Sequence, residues 1–314
     1  MLAPLQAAHV SVCTIRVAPQ FEPTTWWTYA LVDGLVRLDA PTPLLATLAT
    51  APPLMVSITS LPALPPIRRA PAHTREARLI WAGERSRRVR RWSEGATTWL
   101  AIDRLGRLAV QEDAISVVRR ARAATPEQIT LGWLGPAFLL TLAGHRVWGW
   151  HAGAARWGDQ LAVFLGLSGQ GKSTLVRYLA EAGWQPVADD LLAVSLQAGQ
   201  LTAWPRYPQL KWPLEAQPTA NWPEQLQVGM VVVLGENSAE ISFSPLSPRN
   251  AFVQLARHTL AARLFSPAEL SAHGDFCAQV AQATPVCAWN YPRRRDALPR
   301  LEQLLRAQLL AQTG

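Results

Sequence analysis

Residues 27–40, WTYALVDGLVRLDA, alternate apolar and polar positions on both sides of Asp33-Gly34. Alternation at period two marks half-buried strands, and an Asp-Gly pair between two such runs is a hairpin turn signal. TTWLAIDRLGRLAVQE (97–112) repeats the pattern, with its turn near Arg104 to Gly106, and VSVCTIRVA (10–18) is a third β-branched run. Between them LPALPPIRRAPAH (61–73) carries too many prolines for a central strand and reads as a loop or edge segment. Residues 1–125 are therefore expected to form a β-rich (α+β) unit.

The period changes after residue 125. PEQITLGWLGPAFLLTLAG (126–144) suggests a helical stretch opening a second domain, 126–314. QLAVFLG (160–166) is a short apolar run with the look of a buried strand. KSTLVRYLAEAG (172–183) places Leu175, Leu179 and Ala182 on one helical face, with Gly183 as a C-terminal stop. VADDLLAVSLQAGQLTAW (187–204) reads as a strand, a turn at Ala198-Gly199 and a returning strand. GMVVVLGE (229–236) is another buried strand, and 247–265 and 295–312 read as amphipathic helices. Strand, glycine-rich loop, helix and further strands predict an α/β fold.

Composition changes this picture in two places. Of 314 residues, 49% are hydrophobic, enough for a sizeable core, yet no apolar run has the length of a membrane span, so no membrane association is expected. The N-terminus has no signal-peptide pattern, and Cys13, Cys277 and Cys287 have no metal-ligand spacing, so a cytoplasmic chain is expected. The formal charge is +8, but only Lys172 and Lys211 among the 30 basic residues are lysines. Arginine replaces lysine where a diffuse surface cation suffices, but not where a compact ammonium enters a tight cradle.

Lys172 stands at such a place. Gly166, Gly171, Lys172 and Ser173 satisfy G-x-x-x-x-G-K-[ST], with Ser168, Gly169 and Gln170 inside the loop and Thr174 following it. In that pattern backbone N–H groups and a helix N-terminus receive phosphate oxygens, the lysine reaches the β- and γ-phosphates, and the serine hydroxyl ligates Mg²⁺. ATP and Mg²⁺ are the implied ligands. An accidental match is the bland alternative; the apolar strand before the loop and the amphipathic helix after it argue against that. Asp189 and Asp190 follow Lys172 by 17 and 18 residues, past one helix, and can return to the phosphate end. One carboxylate there could take the proton of an attacking hydroxyl while the other holds the metal. From spacing alone, a solvated Asp-Asp turn fits equally well.

With His151 in WHAGA, then GLSGQGKST, then AGWQPVADD, residues 130–314 resemble the catalytic domain of HPr kinase/phosphorylase and its wider family of HPr-kinase-like serine kinases. The resemblance implies a P-loop catalytic domain, with Asp189 as catalytic base, Asp190 beside metal and phosphate, and His151 near the transferred phosphoryl group. Where HPr kinases proper carry a Gly- and Arg-containing signature, this chain has TAWPRYPQLKWPLEA, more like the HPr-kinase-related proteins found beside ribosomal peptide maturation enzymes, lasso-peptide kinases included. Glu215 in that segment is a candidate acidic metal ligand, and Trp212, beside Lys211, is the one tryptophan of fourteen expected near a substrate. The implied activity is phosphoryl transfer from ATP to a serine or threonine of a peptide or protein, with the phosphocarrier HPr itself as the alternative acceptor. Homo-oligomers are common in that family.

Two rival readings stay open. GMVVVLGE, ending at Glu236, imitates the metal-binding strand of a non-kinase P-loop ATPase, although Gly235 interrupts the acidic end and no LSGGQ-like segment follows. ERSRRVRRW (84–92) concentrates the arginines of Arg85 to Arg91 near Trp92, as nucleic-acid binders do. A solvated strand face in an arginine-biased chain explains the cluster better than nucleic acid does, and an acidic segment of a peptide substrate is the third option.

Overall fold

The computed structural model describes residues 27–31, 34–38, 55–58, 71, 73–79, 86–111, 114–205, 207, 209, 212, 222–223 and 225–311. The run expected to be a strand at 10–18, almost all of the proline-rich segment at 61–73, Arg85, Lys211 and Glu215 lie outside the described residues.

The fold is mixed α/β, rich in strands. The Asp-Gly hairpin forms: β1 (Trp27–Leu31) and β2 (Gly34–Leu38) pair antiparallel and close on Leu31 and Gly34, and β3 (Met55–Ile58) adds in parallel to β2. A second sheet is an antiparallel meander of β4 (Arg75–Leu79), β5 (Arg87–Glu94), β6 (Thr97–Ile102), β7 (Gly106–Gln111) and β8 (Ala114–Arg120), in that order. Its β6–β7 turn falls where the sequence places it, with Arg104 in the left-handed region at φ 62°. Trp92 and Trp99 sit opposite each other across β5 and β6 with rings stacked at 6.4 Å.

Residues 126–144 are helical, as α1 (Pro126–Gly132), a π-type turn at Trp133–Ala137 and α2 (Phe138–Gly144). The interruption has a local cause, since Gly135 departs from helical angles immediately before Pro136. Leu134, Ala137 and Phe138 are buried in one cluster with Leu100, Ile102 and Leu108 of the meander and with Trp148, Leu161 and Val163 of the large sheet. Apolar packing is thus continuous across residue 125.

That large sheet contains β9 (Trp148–Trp150), β10 (Ala152–Trp157), β11 (Gln160–Leu165), β12 (Gln185–Ala188), β13 (Leu192–Gln197), β14 (Gln200–Trp204) and β15 (Leu226–Asn237), in the order β12-β10-β11-β15-β14-β13-β9. β16 (Ser242–Pro245) pairs with β17 (Val286–Tyr291), which lies parallel to β15. Among the described residues four further α-helices follow: α3 (Lys172–Glu181), α4 (Pro248–Arg257), α5 (Pro267–Ala283) and α6 (Leu298–Leu310). Leu175 and Leu179 of α3 are fully buried, and Gly183, at φ 91°, follows the helix as its stop.

Three details differ from the sequence reading. The strand expected from residue 187 is two strands, β12 and β13, because the chain breaks at Asp189-Asp190 and changes partner from β10 to β9 and β14. The helix expected over 247–265 stops at Arg257: beyond it Thr259 bridges to Trp150 and Leu260 N–H donates to Gly149 O at 2.7 Å, so the backbone binds the β9 edge instead of itself. Helix α5 was not expected at all, although Ser266 and Glu269 form a capping box at its start.

Glu269 has a second role. Arg91 of β5 is 6% exposed; it forks onto the Glu269 carboxylate and donates to Leu264 O at 2.7 Å. Burial alone would raise the Glu269 carboxyl, but the hydrogen bonds from Arg91 and Ser266 and the Arg91 charge outweigh it and hold the carboxyl below its ordinary value. Removing one member of such a pair leaves a buried charge uncompensated. Arg91→Ala is therefore expected to lower unfolding free energy by about 3 kcal/mol, read from urea midpoints at pH 7. Because the folded-state pKa of Glu269 is depressed, the deficit of the variant should shrink as pH falls through it and the carboxylate protonates.

Candidate functional site

Strand direction brings the candidate residues together. β11, β15 and β17 run parallel, and β12 runs with them because it is antiparallel to β10, which is antiparallel to β11. The C-terminal ends of four strands and the N-terminal end of β10 therefore share one edge of the sheet, the usual position of ligands in open α/β sheets. The loop 166–171 leaves β11 there, His151 precedes β10, Asp189 follows β12, Gly235 and Glu236 lie near the end of β15, and Arg293 follows β17.

The loop passes directly into α3. Gly171 caps the helix at φ 90°, a conformation that disfavours any side chain, and a Cβ there would lie 3.1 Å from both Arg293 Nη1 and the Tyr291 hydroxyl. Lys172, 6% exposed, folds its ammonium over the loop and donates to Gly166 O at 2.6 Å and Leu167 O at 3.2 Å. Gln170 ties the loop at two points: its carbonyl accepts from Leu167 N–H, and its amide donates to Gly235 O at 3.4 Å. Ser168, Gly169 and Thr174 are exposed, and Ser173 is half-buried in the first turn of α3.

Gly153 shows how closely the parts pack. A Cβ on it would lie 2.9 Å from Val176 Cγ2, 3.5 Å from Lys172 Cβ and 3.7 Å from Ala188 O. The root of Lys172 and the peptide leading into Asp189 thus flank the same point on β10.

The two aspartates have different surroundings. Asp190 Oδ1 lies 3.5 Å from His151 Nδ1, and the same ring nitrogen is 3.1 Å from Asp190 O. Asp189 keeps one carboxylate oxygen, Oδ1, buried without a hydrogen-bond partner among the described residues. A buried carboxylate oxygen left unsatisfied costs free energy and needs an explanation in the site's chemistry.

Other residues that sequence reasoning did not single out complete the edge. Gln209, 2% exposed, accepts from Asp189 N–H at 2.9 Å and donates to Leu191 O and Tyr207 O at 3.0 Å each. Its carboxamide clamps the backbone on both sides of the acidic pair. Trp212 N–H donates to Gln209 O at 2.8 Å, which connects that tryptophan to the aspartate turn through one residue. Burial and then the Asp190 charge push the Tyr207 phenol well above its ordinary value, so it stays protonated and donates to Leu134 O. His258, whose carbonyl accepts from His151 N–H at 2.8 Å, is drawn down to about 4 by burial and by the charges of Lys172, Arg257 and His151. Its imidazole is neutral at pH 7.

Arg293 is the second cation at the loop. It donates to Gly235 O at 2.6 Å and to the Tyr291 hydroxyl at 2.9 Å, with its guanidinium 4.4 Å from the Tyr291 ring centroid. It opens the basic run Arg293 to Arg295 after β17, and nothing in that run alone says that the turn folds back onto residue 171.

No protein-family model matches the chain, and no curated protein matches it in sequence. Among solved structures, that of the Hpr(Ser) kinase/phosphatase from Coxiella burnetii aligns over 53% of this chain and 99% of that one, at 15% identity and a TM-score of 0.30. A likeness of that strength carries no argument about chemistry. Among the described residues, no helix is long and apolar enough to cross a membrane.

Proposed function

We infer that this chain is an ATP- and Mg²⁺-dependent kinase that transfers the γ-phosphoryl group to a serine hydroxyl, threonine second, of a peptide or protein, with a ribosomal peptide precursor as the favoured acceptor. One observation supports this most. The root of the loop lysine, Lys172, and the peptide leading into Asp189 flank one point on β10, and Asp189 Oδ1 is buried with no hydrogen-bond partner among the described residues, so a phosphoryl donor and a hydroxyl acceptor could meet at this edge.

In this reading 166–174 is a P-loop. Its N–H groups and the N-terminus of α3 bind the phosphates of ATP, and Lys172 exchanges its contacts with Gly166 O and Leu167 O for β- and γ-phosphate oxygens. Asp189 takes the proton from the acceptor Oγ as that oxygen bonds to the γ-phosphorus, while the bond from phosphorus to the β–γ bridging oxygen breaks and ADP leaves. Gln209 holds the Asp189 backbone in place, and His151 orients Asp190. Ser173 and Asp190 suit a hard divalent cation, since they offer a hydroxyl and a carboxylate at the loop edge. Mg²⁺ held there would neutralise charge on the transferring phosphoryl group. Arg293, beside Gly171, adds a fixed positive charge to the same end. Residues 126–314 form the catalytic unit in this reading.

The test is incubation of the full chain with Mg·[γ-³²P]ATP and a serine-containing peptide library, with HPr as a parallel acceptor, followed by phosphoamino-acid analysis. Labelled phosphoserine in peptide is expected. Release of inorganic phosphate with no labelled acceptor would replace the kinase by a P-loop ATPase, and label confined to HPr would restore the phosphocarrier as substrate.

A further inference from the structure

The arginine-rich run of β5 divides when it folds. Arg91 turns inward to Glu269, Arg90 approaches Asp103 at 3.9 Å, and Arg88 pairs with Glu76 at 3.3 Å. Arg87 and Arg88, however, also line a cleft of about 1120 Å³ with three arginines that the sequence places far from them. Arg78 comes from β4, Arg104 from the β6–β7 turn and Arg122 from the segment after β8. Among the described residues the lining thus holds five guanidinium groups and one carboxylate, Asp103. Arg78, Arg104 and Arg122 are exposed and form no ion pair with a described residue.

Like charges repel, so the three segments that bring Arg78, Arg104 and Arg122 beside Arg87 and Arg88 gain nothing for folding from that arrangement. An anionic occupant would recover the cost. Arginine forks match carboxylates two bonds at a time. Specific nucleic-acid interfaces usually bury about 1,000 Å² or more, and single strands stack on aromatic platforms. This concavity is confined to one end of a five-stranded sheet and has no aromatic ring among its described lining residues.

We propose that this cleft docks an acidic, Asp- and Glu-rich segment of the peptide or protein that the kinase phosphorylates. The inference deepens the proposed function, from which it takes the peptide nature of the partner. The cleft captures the acidic segment by charge, and a serine elsewhere on the same chain is presented to the edge that carries Asp189. Such binding would be electrostatic and would weaken as salt screens it.

The test uses the full chain and a fluorescein-labelled twelve-residue Glu-rich peptide, read by anisotropy, beside a lysine-rich peptide and a single-stranded oligonucleotide of the same length. Wild type should bind the acidic peptide in preference to both, with affinity falling roughly tenfold between 50 and 300 mM NaCl. The variant Arg78→Glu, Arg104→Glu, Arg122→Glu should lose at least about 20-fold in peptide affinity. A control with the same charge change on exposed residues elsewhere, Arg249→Glu, Arg263→Glu, Arg300→Glu, should remain within about threefold. Equal losses in the two variants would reduce the effect to net charge and overturn the proposal, as would tighter binding of the oligonucleotide. Mg·ATP binding, measured in parallel by calorimetry, separates the two readings. Peptide capture without ATP binding would leave the cleft standing and remove the kinase; ATP binding and serine transfer without capture would do the reverse.

Discussion

Lys172→Ala is expected to abolish both nucleotide binding and phosphoryl transfer. The ammonium is buried, anchored by Gly166 O and Leu167 O, and rooted beside Gly153, so no other described cation occupies its place. Arg293, the nearest described alternative, is committed to Gly235 O and Tyr291 across the loop. Loss of a charge-assisted contact to two phosphates should weaken Mg·ATP binding by roughly 10²-fold and transfer by on the order of 10³-fold or more. Lys172→Arg should fail nearly as far: the planar fork is wider than an ammonium, and the Lys172 Cβ already lies against β10. Calorimetry with Mg·ATP and a radiolabel transfer assay check both. A normal melting profile for the variants would assign the loss to the site and not to folding. Retention of wild-type nucleotide affinity by Lys172→Ala would refute the phosphate role of the loop.

How far the site was legible in the chain depended on how local each signal is. The glycine loop could be read because an apolar strand, a spaced glycine-lysine pattern and an amphipathic helix coincide within about two dozen residues. The acidic pair was visible as a spacing, but its break into two strands was not, since it comes from a change of pairing partner from β10 to β9. Gln209, His258 and Arg293 gave no signal of their own. Each reaches the edge only because the sheet order brings distant segments together: Arg293 follows a strand that pairs with β15, and His258 follows a helix whose exit binds the β9 edge. Helix α5 escaped notice because its apolar residues form no sharp stripe, although the Ser266–Glu269 cap announced its start. The arginine run shows the converse case. Composition made it look like one patch, whereas strand geometry sends Arg91 into the protein and Arg88 to the surface.

Asp189→Asn should separate binding from chemistry. Asparagine keeps the shape of the side chain, and the backbone N–H that Gln209 receives at 2.9 Å does not depend on the substitution. The loop, Lys172 and the N-terminus of α3 remain intact, so Mg·ATP affinity is expected within about threefold of wild type. Transfer should fall by on the order of 10²-fold or more, because an amide cannot take the proton of the acceptor hydroxyl. Stability supplies an independent readout. Asp189 Oδ1 is buried with no hydrogen-bond partner among the described residues, and a neutral amide costs less to bury than a carboxylate. The variant should therefore melt at or above the wild-type temperature while losing activity, as expected of a residue retained for chemistry and not for folding. Asp190→Asn should behave differently: if Asp190 holds the metal as proposed, transfer should be rescued in part by raised Mg²⁺, which will not help Asp189→Asn. A variant Asp189→Asn that phosphorylates serine at a near-normal rate would remove the general base from the mechanism. The non-kinase P-loop ATPase would then be the better account of this sheet edge.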